Sequence, residues 1–297
     1  MDVHRLRVLR ELADRTTVAA VAQSMSMTPS AVSQQLKILA REAGVALVEP
    51  DGRRLRLTDA GRALVIRAED VIAALDRAAA EMGRYRGSPH GTVRVASFPS
   101  GAALLLPHVL TTMVGSGVAV EASDEDLPPS QVPALLADYD VVLTHRDERS
   151  PSVASPRVAA RVLMREPIDV VMAPDHRLAQ RATVEPDDLA DESWISVRGG
   201  FPVDDVLQSV ATVTGVYPRV VQRLNDFNVI EHLVAAGHGV ALMPRHAVRH
   251  AGLVVIPLAG VRAARVYELA TRPNVEQRPS VAAVLDAFEQ AAAPYGS

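Results

Sequence analysis

Between Thr28 and Arg41 the chain reads Thr-Pro-Ser-Ala-Val-Ser-Gln-Gln-Leu-Lys-Ile-Leu-Ala-Arg. At helical spacing this puts Ser30, Ser33, Gln34, Lys37 and Arg41 on one side and Val32, Leu36 and Leu39 on the other. Short hydroxyls, an amide and two cations on one face can donate to and accept from base edges in the major groove of DNA. Thr28 is a good N-cap and Pro29 suits the first helical position, so the free amides of the helix start would lie near phosphate. A solvated helix face has the same composition, so the neighbouring elements must decide.

Those neighbours supply a scaffold. "VAAVAQSMSMTPSAVSQQLKILA" reads as two helices around a tight turn, with Ala22 as the small residue, Ser26 in the turn and Val32 as the buried aliphatic. Gly44 can end the second helix in a left-handed conformation. "VALVEPDGRRLRLT" follows as two short alternating strands about Asp51-Gly52, and Arg53, Arg54 and Arg56 at the tip suit phosphates or a minor groove. From Thr58 a long helix carries Leu64, Ala68, Val71, Leu75, Ala78 and Met82 at alternating spacings of four and three, a seam that wants a partner helix.

Charge separates this part from the rest. Residues 1–86 hold 14 Lys/Arg against 11 Asp/Glu, a balance of +3, and the remainder holds 17 against 24, a balance of −7, which together give the net −4. The basic part is therefore the part with the helix-turn-helix pattern. Lys37 is the sole lysine.

The run "HRLRVLRELADRTTVAAVAQSMSMTPSAVSQQLKILAREAGVALVEPDGRRLRLTDAG" resembles the N-terminal part of LysR-type transcriptional regulators, down to the terminal Leu-Thr-Asp-Ala-Gly. Gln34 stands where many members have arginine, and Pro50 replaces another arginine. The resemblance implies an N-terminal all-α winged helix-turn-helix (residues 1–58), a long linker and dimerisation helix (59–87), and a C-terminal α/β two-lobed, periplasmic-binding-protein-like effector domain (88–297). Lobe one would take about 91–162 and 266–297, and lobe two about 163–265. The α/β alternation of "GTVRVASFPSGAALLLPHVLTTMV", "GVAVEAS" and "DVVLTH" agrees, and "RVYELATRP" looks like the strand returning to lobe one. The likeness is weakest over "SDEDLPPSQVPALLADYDVV", an acidic, proline-rich piece.

In such a fold a small molecule sits between lobes at strand C-termini where helices begin. Three helix starts qualify: after Ser97 to Gly101, after Arg198 to Pro202, and at Asp226 to Asn228. Free amides there favour an anion, so a carboxylate effector is one expectation. Ser97, Ser100, Thr144, Phe201 and Phe227 match family positions lining the cleft, while His145, Arg146 and Arg198 could supply charge.

The expected function is a ligand-switched, sequence-specific transcriptional regulator that binds a partly palindromic double-stranded DNA operator as a homodimer or homotetramer. The competing reading is a cytoplasmic solute-binding or enzymatic α/β protein whose N-terminal helices only dimerise it. Catalysis finds little support: with no cysteine there is no thiolate nucleophile, and no Gly-x-Ser-x-Gly elbow appears. His246 and His250 lie four apart but lack an adjacent glutamate or a third ligand, so neither a metal nor a cofactor is expected. The N-terminus lacks the apolar core of a signal peptide and no run reaches the roughly 18 apolar residues of a membrane span, which together suggest a cytoplasmic location.

Overall fold

In the computed structural model, residues 1–51, 54–85 and 91–295 are described. The chain opens with α1 (Val3–Arg15), α2 (Val18–Ser24) and α3 (Pro29–Ala43). Each start is capped by its own sequence: Asp2 accepts from the His4 and Arg5 amides, Thr17 from Ala20 and Thr28 from Ala31. Gly44 ends α3 at φ 72°, and Ser26 takes a left-handed φ of 52° between α2 and α3. Val32, Leu36 and Leu39 join Leu6, Val8, Leu9, Leu12 and Val21 in one small core.

The hairpin forms as β1 (Val48–Asp51) and β2 (Arg54–Leu57). Its register pairs Asp51 with Arg54, so Asp51 ends the first strand instead of entering the turn expected at Asp51-Gly52. Then comes α4 (Asp59–Tyr85), whose early turns press on this hairpin. Gly61 is needed there, because a Cβ would collide with the Leu47 carbonyl.

The rest is one mixed sheet with helices. Its elements are β3 (Gly91–Ser97), α5 (Pro99–Met113), β4 (Val118–Asp124), α6 (Val132–Leu135), β5 (Val141–Asp147), β6 (Ala159–Met172), β7 (Ser193–Ser196), α7 (Pro202–Thr214), β8 (Arg219–Arg223), α8 (Phe227–Ala235), β9 (Val240–Pro244), β10 (Val254–Pro257), β11 (Ala264–Thr271) and α9 (Pro279–Ala292). The strand order is β4-β3-β5-β11-β6-β9-β7-β8, with β10 also on β6. Its two largest cores divide it, with a smaller cluster of Ala96, Val132, Leu136, Val142, Val158 and Ala270 beside α6. One is gathered by β3, β5, β11, α5 and α9, the other by β7, β9, α7 and α8. β6 belongs to both, since Met164 packs in the first core and Ile168 onward in the second. Its first half pairs with β11 and its second with β9 and β10, so the two lobes share a continuous strand. Between the end of β4 and the start of β5, the acidic, proline-rich piece yields a short 3-10 turn and the four residues of α6.

The helical domain sits on lobe one through ion pairs. The Asp14 side chain, 3% exposed, pairs with Arg157 and lies 3.0 Å from Arg272. Arg272 also reaches Glu69 of α4 at 3.1 Å and donates to the Leu136 carbonyl at 2.7 Å. Arg15 bridges to Asp138 at 2.6 Å. Burying several charges together is tolerable because each guanidinium faces a carboxylate.

Candidate functional site

Two places collect polar side chains that the cores do not require. The first is the outer face of α3. Val32, Leu36 and Leu39 turn inward, and this leaves Thr28, Pro29, Ser30, Gln34, Lys37 and Arg41 exposed while Ser33 is half-buried. The Ser33 hydroxyl donates to the Pro29 carbonyl at 3.0 Å, so it retains only its lone pairs for an outside donor. Thr28 and Ser30 share a hydrogen bond at 3.0 Å. Lys37 and Arg41 have no ion pair among the described residues, which leaves both cations free. In the hairpin Arg56 pairs with Glu49 at 2.5 Å. Arg53 lies outside the described residues, and of Arg54 only the backbone is described.

The second is a cleft of about 580 Å³ between the lobes. Three helix starts converge on it, those of α5, α7 and α8, through Pro99 and Ser100, Phe201 to Val203, and Asp226 to Asn228. Pro99 and Pro202 occupy first helical positions without an N–H, and Asp226 already caps α8 by accepting from Asn228 at 2.9 Å. The chain has four phenylalanines, and three of them, Phe98, Phe201 and Phe227, line this one cleft.

The floor is a buried polar cluster centred on Arg265 of β11, which is 1% exposed. Its Nε donates to Glu166 at 2.8 Å, Nη1 to His145 Nδ1 at 3.1 Å, and Nη2 to Ser100 Oγ at 3.0 Å and the Tyr267 hydroxyl at 2.6 Å. Tyr267 donates its own proton to Glu166 at 2.8 Å, and burial, above all, raises its pKa. His145 stacks on Phe98 with ring centroids 4.0 Å apart and 11° between planes. Burial, and then the Arg265 charge, hold the His145 pKa well below the usual 6.5, so the ring is neutral near pH 7. Gly101 allows the stack, because any Cβ there would strike the Phe98 ring.

Not all expected positions meet in this cleft. Ser100, His145, Phe201 and Phe227 line it. Ser97 and Thr144 are buried in β3 and β5 without lining it. Arg146 points to a separate recess, where it pairs with buried Glu268 at 2.9 Å and donates to the Ser150 carbonyl. Arg198 crosses between lobes to Asp126 at 2.9 Å, and Asn225 donates to the same carboxylate at 2.6 Å. Sequence reasoning does not single out Arg265, Asp126, Asn225 or Phe98. Phe98 is accessible to it, since it precedes a proline-started helix; the contacts that bring the others to the cleft, Asp126 with Arg198 and Asn225, and Arg265 with His145 and Ser100, span 72 to 165 residues. His246 packs on the Tyr295 ring and His250 on His232.

The model described as "LysR substrate binding domain" matches residues 86–293, and that described as "Bacterial regulatory helix-turn-helix protein, lysR family" matches residues 3–62. Curated relatives include the transcriptional dual regulator GltC of Bacillus subtilis (strain 168), 26% identical over 82% of this chain and 81% of its own length. The regulator CbbR of Rhodospirillum rubrum is 25% identical over 98% of this chain and 96% of its own. Among solved structures, a full-length, singly substituted OxyR from Pseudomonas aeruginosa superposes with a TM-score of 0.66 at 20% identity, covering 97% of this chain and 98% of that one. Full-length CbnR complexed with its target DNA gives 0.54 at 20% identity, covering 98% and 100%. At such identity these two structures speak to the fold.

Proposed function

The chain belongs to the LysR family of transcriptional regulators, and we propose that within it Ser30, Ser33 and Gln34 of α3 form the base-reading face, flanked by Lys37 and Arg41, while the interlobe cleft takes the effector. The protein is a DNA-binding regulator and not an enzyme. The observation that carries the reading of α3 is its exposed polar face, held by a capped helix on a packed three-helix core. Ser30 and Gln34 can reach base edges, with Thr28 and Pro29 setting the helix start against phosphate. Lys37 and Arg41 are available for phosphate or for base, and Arg53, Arg54 and Arg56 supply salt-dependent affinity from the wing.

In a competition assay Gln34→Ala should relax preference at particular base pairs, whereas Lys37→Ala as a phosphate contact should weaken all sequences and reduce the salt slope by about one. An unchanged preference in Gln34→Ala would remove that side chain from the reading face.

On the effector side, Ser100, His145, Phe201 and Phe227 would touch the ligand, Ser97 and Thr144 would support them from behind, and Arg198 would close over the opening through Asp126. Arg146 would act on the far side by fixing β5 against β11 through Glu268. A small molecule that prefers one arrangement of the lobes shifts their population by its differential affinity. Several relatives are named hydrogen peroxide-inducible genes activators; without a cysteine this chain would respond to occupancy of the cleft and not to thiol oxidation. A homodimer through the exposed later part of α4, or a homotetramer, would present two reading helices to a partly palindromic operator, in the cytoplasm where that DNA lies.

A further inference from the structure

The floor of the cleft is one-sided in hydrogen-bonding terms. A guanidinium has five N–H donors, and Arg265 spends four of them, on Glu166, His145, Ser100 and Tyr267. Because Arg265 can only donate, His145 Nδ1 must accept, and the imidazole proton therefore sits on Nε2. That Nε2–H belongs to a side chain 6% exposed and has no hydrogen-bond partner among the described residues. Ser100 accepts from Arg265 and keeps its own hydroxyl proton to give. The carboxylate of Glu166 is fully engaged, by Arg265 and Tyr267 on one oxygen and by the His246 amide at 2.7 Å on the other. What remains toward the cleft is thus a set of donors: His145 Nε2, one Arg265 N–H and Ser100 Oγ. A buried donor without a partner costs free energy that a ligand acceptor would recover.

Charge then chooses among acceptors. Arg265 and Glu166 cancel and His145 is neutral, so the floor carries no surplus positive charge. Asp126 and Arg198 pair with each other, and the remaining wall charges are Asp124 and Asp226 against Arg249. An anion would enter past acidic groups into a balanced floor. Of the three helix starts, that of α8 already holds the Asp226 carboxylate, and those of α5 and α7 each lack one N–H at proline while keeping the amides that follow without a side-chain cap. Phe98, Phe201 and Phe227 give the cleft apolar ring surface, with Phe201 tilted 60° to the His145 ring that stacks on Phe98.

Resting on the reading of this cleft as the effector site, we infer that the effector is a flat, uncharged aromatic carbonyl compound whose oxygen accepts from His145 Nε2 and Ser100 while its ring lies against Phe201 and Phe227. The carbonyl oxygen has the two lone pairs these two donors need and brings no charge.

The test uses two probes of matched shape, acetonaphthone and naphthoate, titrated calorimetrically into the full-length protein and its His145→Phe and Ser100→Ala variants, each checked for native circular dichroism. Acetonaphthone should bind at least about tenfold more tightly than naphthoate, and loss of the His145 donor should weaken it about tenfold. Ser100→Ala gives the same direction should His145→Phe not fold. Equal or tighter naphthoate binding that still depends on His145 would overturn the neutral head and leave the cleft as effector site. Binding of both probes unmoved by either variant would remove the cleft from the effector role altogether. No binding of either probe would reject the aromatic carbonyl class.

Discussion

His145 has a titration that reaches beyond ligand binding. Burial and Arg265 depress its folded pKa below the unfolded value of 6.5, so the unfolded chain binds the extra proton more readily. Its contribution to stability is therefore fully present above about pH 6.5 and is lost as pH falls through the window below that value. The urea midpoint of the protein should fall between about pH 7.5 and pH 5.5, and His145→Phe should flatten part of that slope; equal slopes in the two proteins would show that the ring is not held neutral. Glu166 makes the complementary case. Arg265 and Glu166 are 1% and 0% exposed, so Glu166→Gln leaves a buried guanidinium without its counter-charge. A loss of about 3 to 5 kcal/mol by chemical denaturation is expected. At this scale little could be read from the sequence, because apart from Tyr267, two residues on, the partners of Arg265 lie 99, 120 and 165 residues away and no local pattern announces them.

Helices and strands were far more legible, for a physical reason: their signals are local. Thr28, Pro29 and Gly44 mark the ends of α3 through hydrogen bonds within three residues, and Val32, Leu36 and Leu39 mark its buried face by period. Thr28→Ala should cost about 1 kcal/mol by removing the bond to the Ala31 amide, measured as a lower denaturation midpoint of the helical domain. The long helix shows where local pattern ends. Its seam looks uniform in sequence, yet Leu64 and Ala68 pack into the helical core, while Val71, Leu75 and Met82 are 41%, 43% and 52% exposed. Tertiary packing divides a stripe that periodicity cannot divide. Only the later part is available to a second copy, and Leu75→Asp should lower the mass in solution if that part holds the dimer; an unchanged mass would place the dimer elsewhere. Gly101 gives a sharper test at the cleft. Gly101→Ala should displace the Phe98 ring and with it the His145 stack, seen as a shifted imidazole resonance in a protein that still folds.

Across the whole molecule, the helical domain is fixed to lobe one by Asp14 and Glu69 on one side and Arg157 and Arg272 on the other. Groups in one network do not act additively. Asp14→Asn and Arg272→Ala should therefore couple by about 1 kcal/mol or more in a double-mutant cycle on urea stability, and simple additivity would argue against a shared network. The strand that ends at this network also begins at the cleft. Arg265 stands near one end of β11 and Arg272 follows the other, separated by seven residues or about 23 Å of extended chain. Because β11 is hydrogen-bonded to β5 along one edge and to β6 along the other, it cannot slip lengthwise without breaking both ladders. The Arg265 contacts at the cleft and the Arg272 contacts to Asp14 of α1 and Glu69 of α4 are therefore two ends of one rigid strut, which moves only together with the strands on either side.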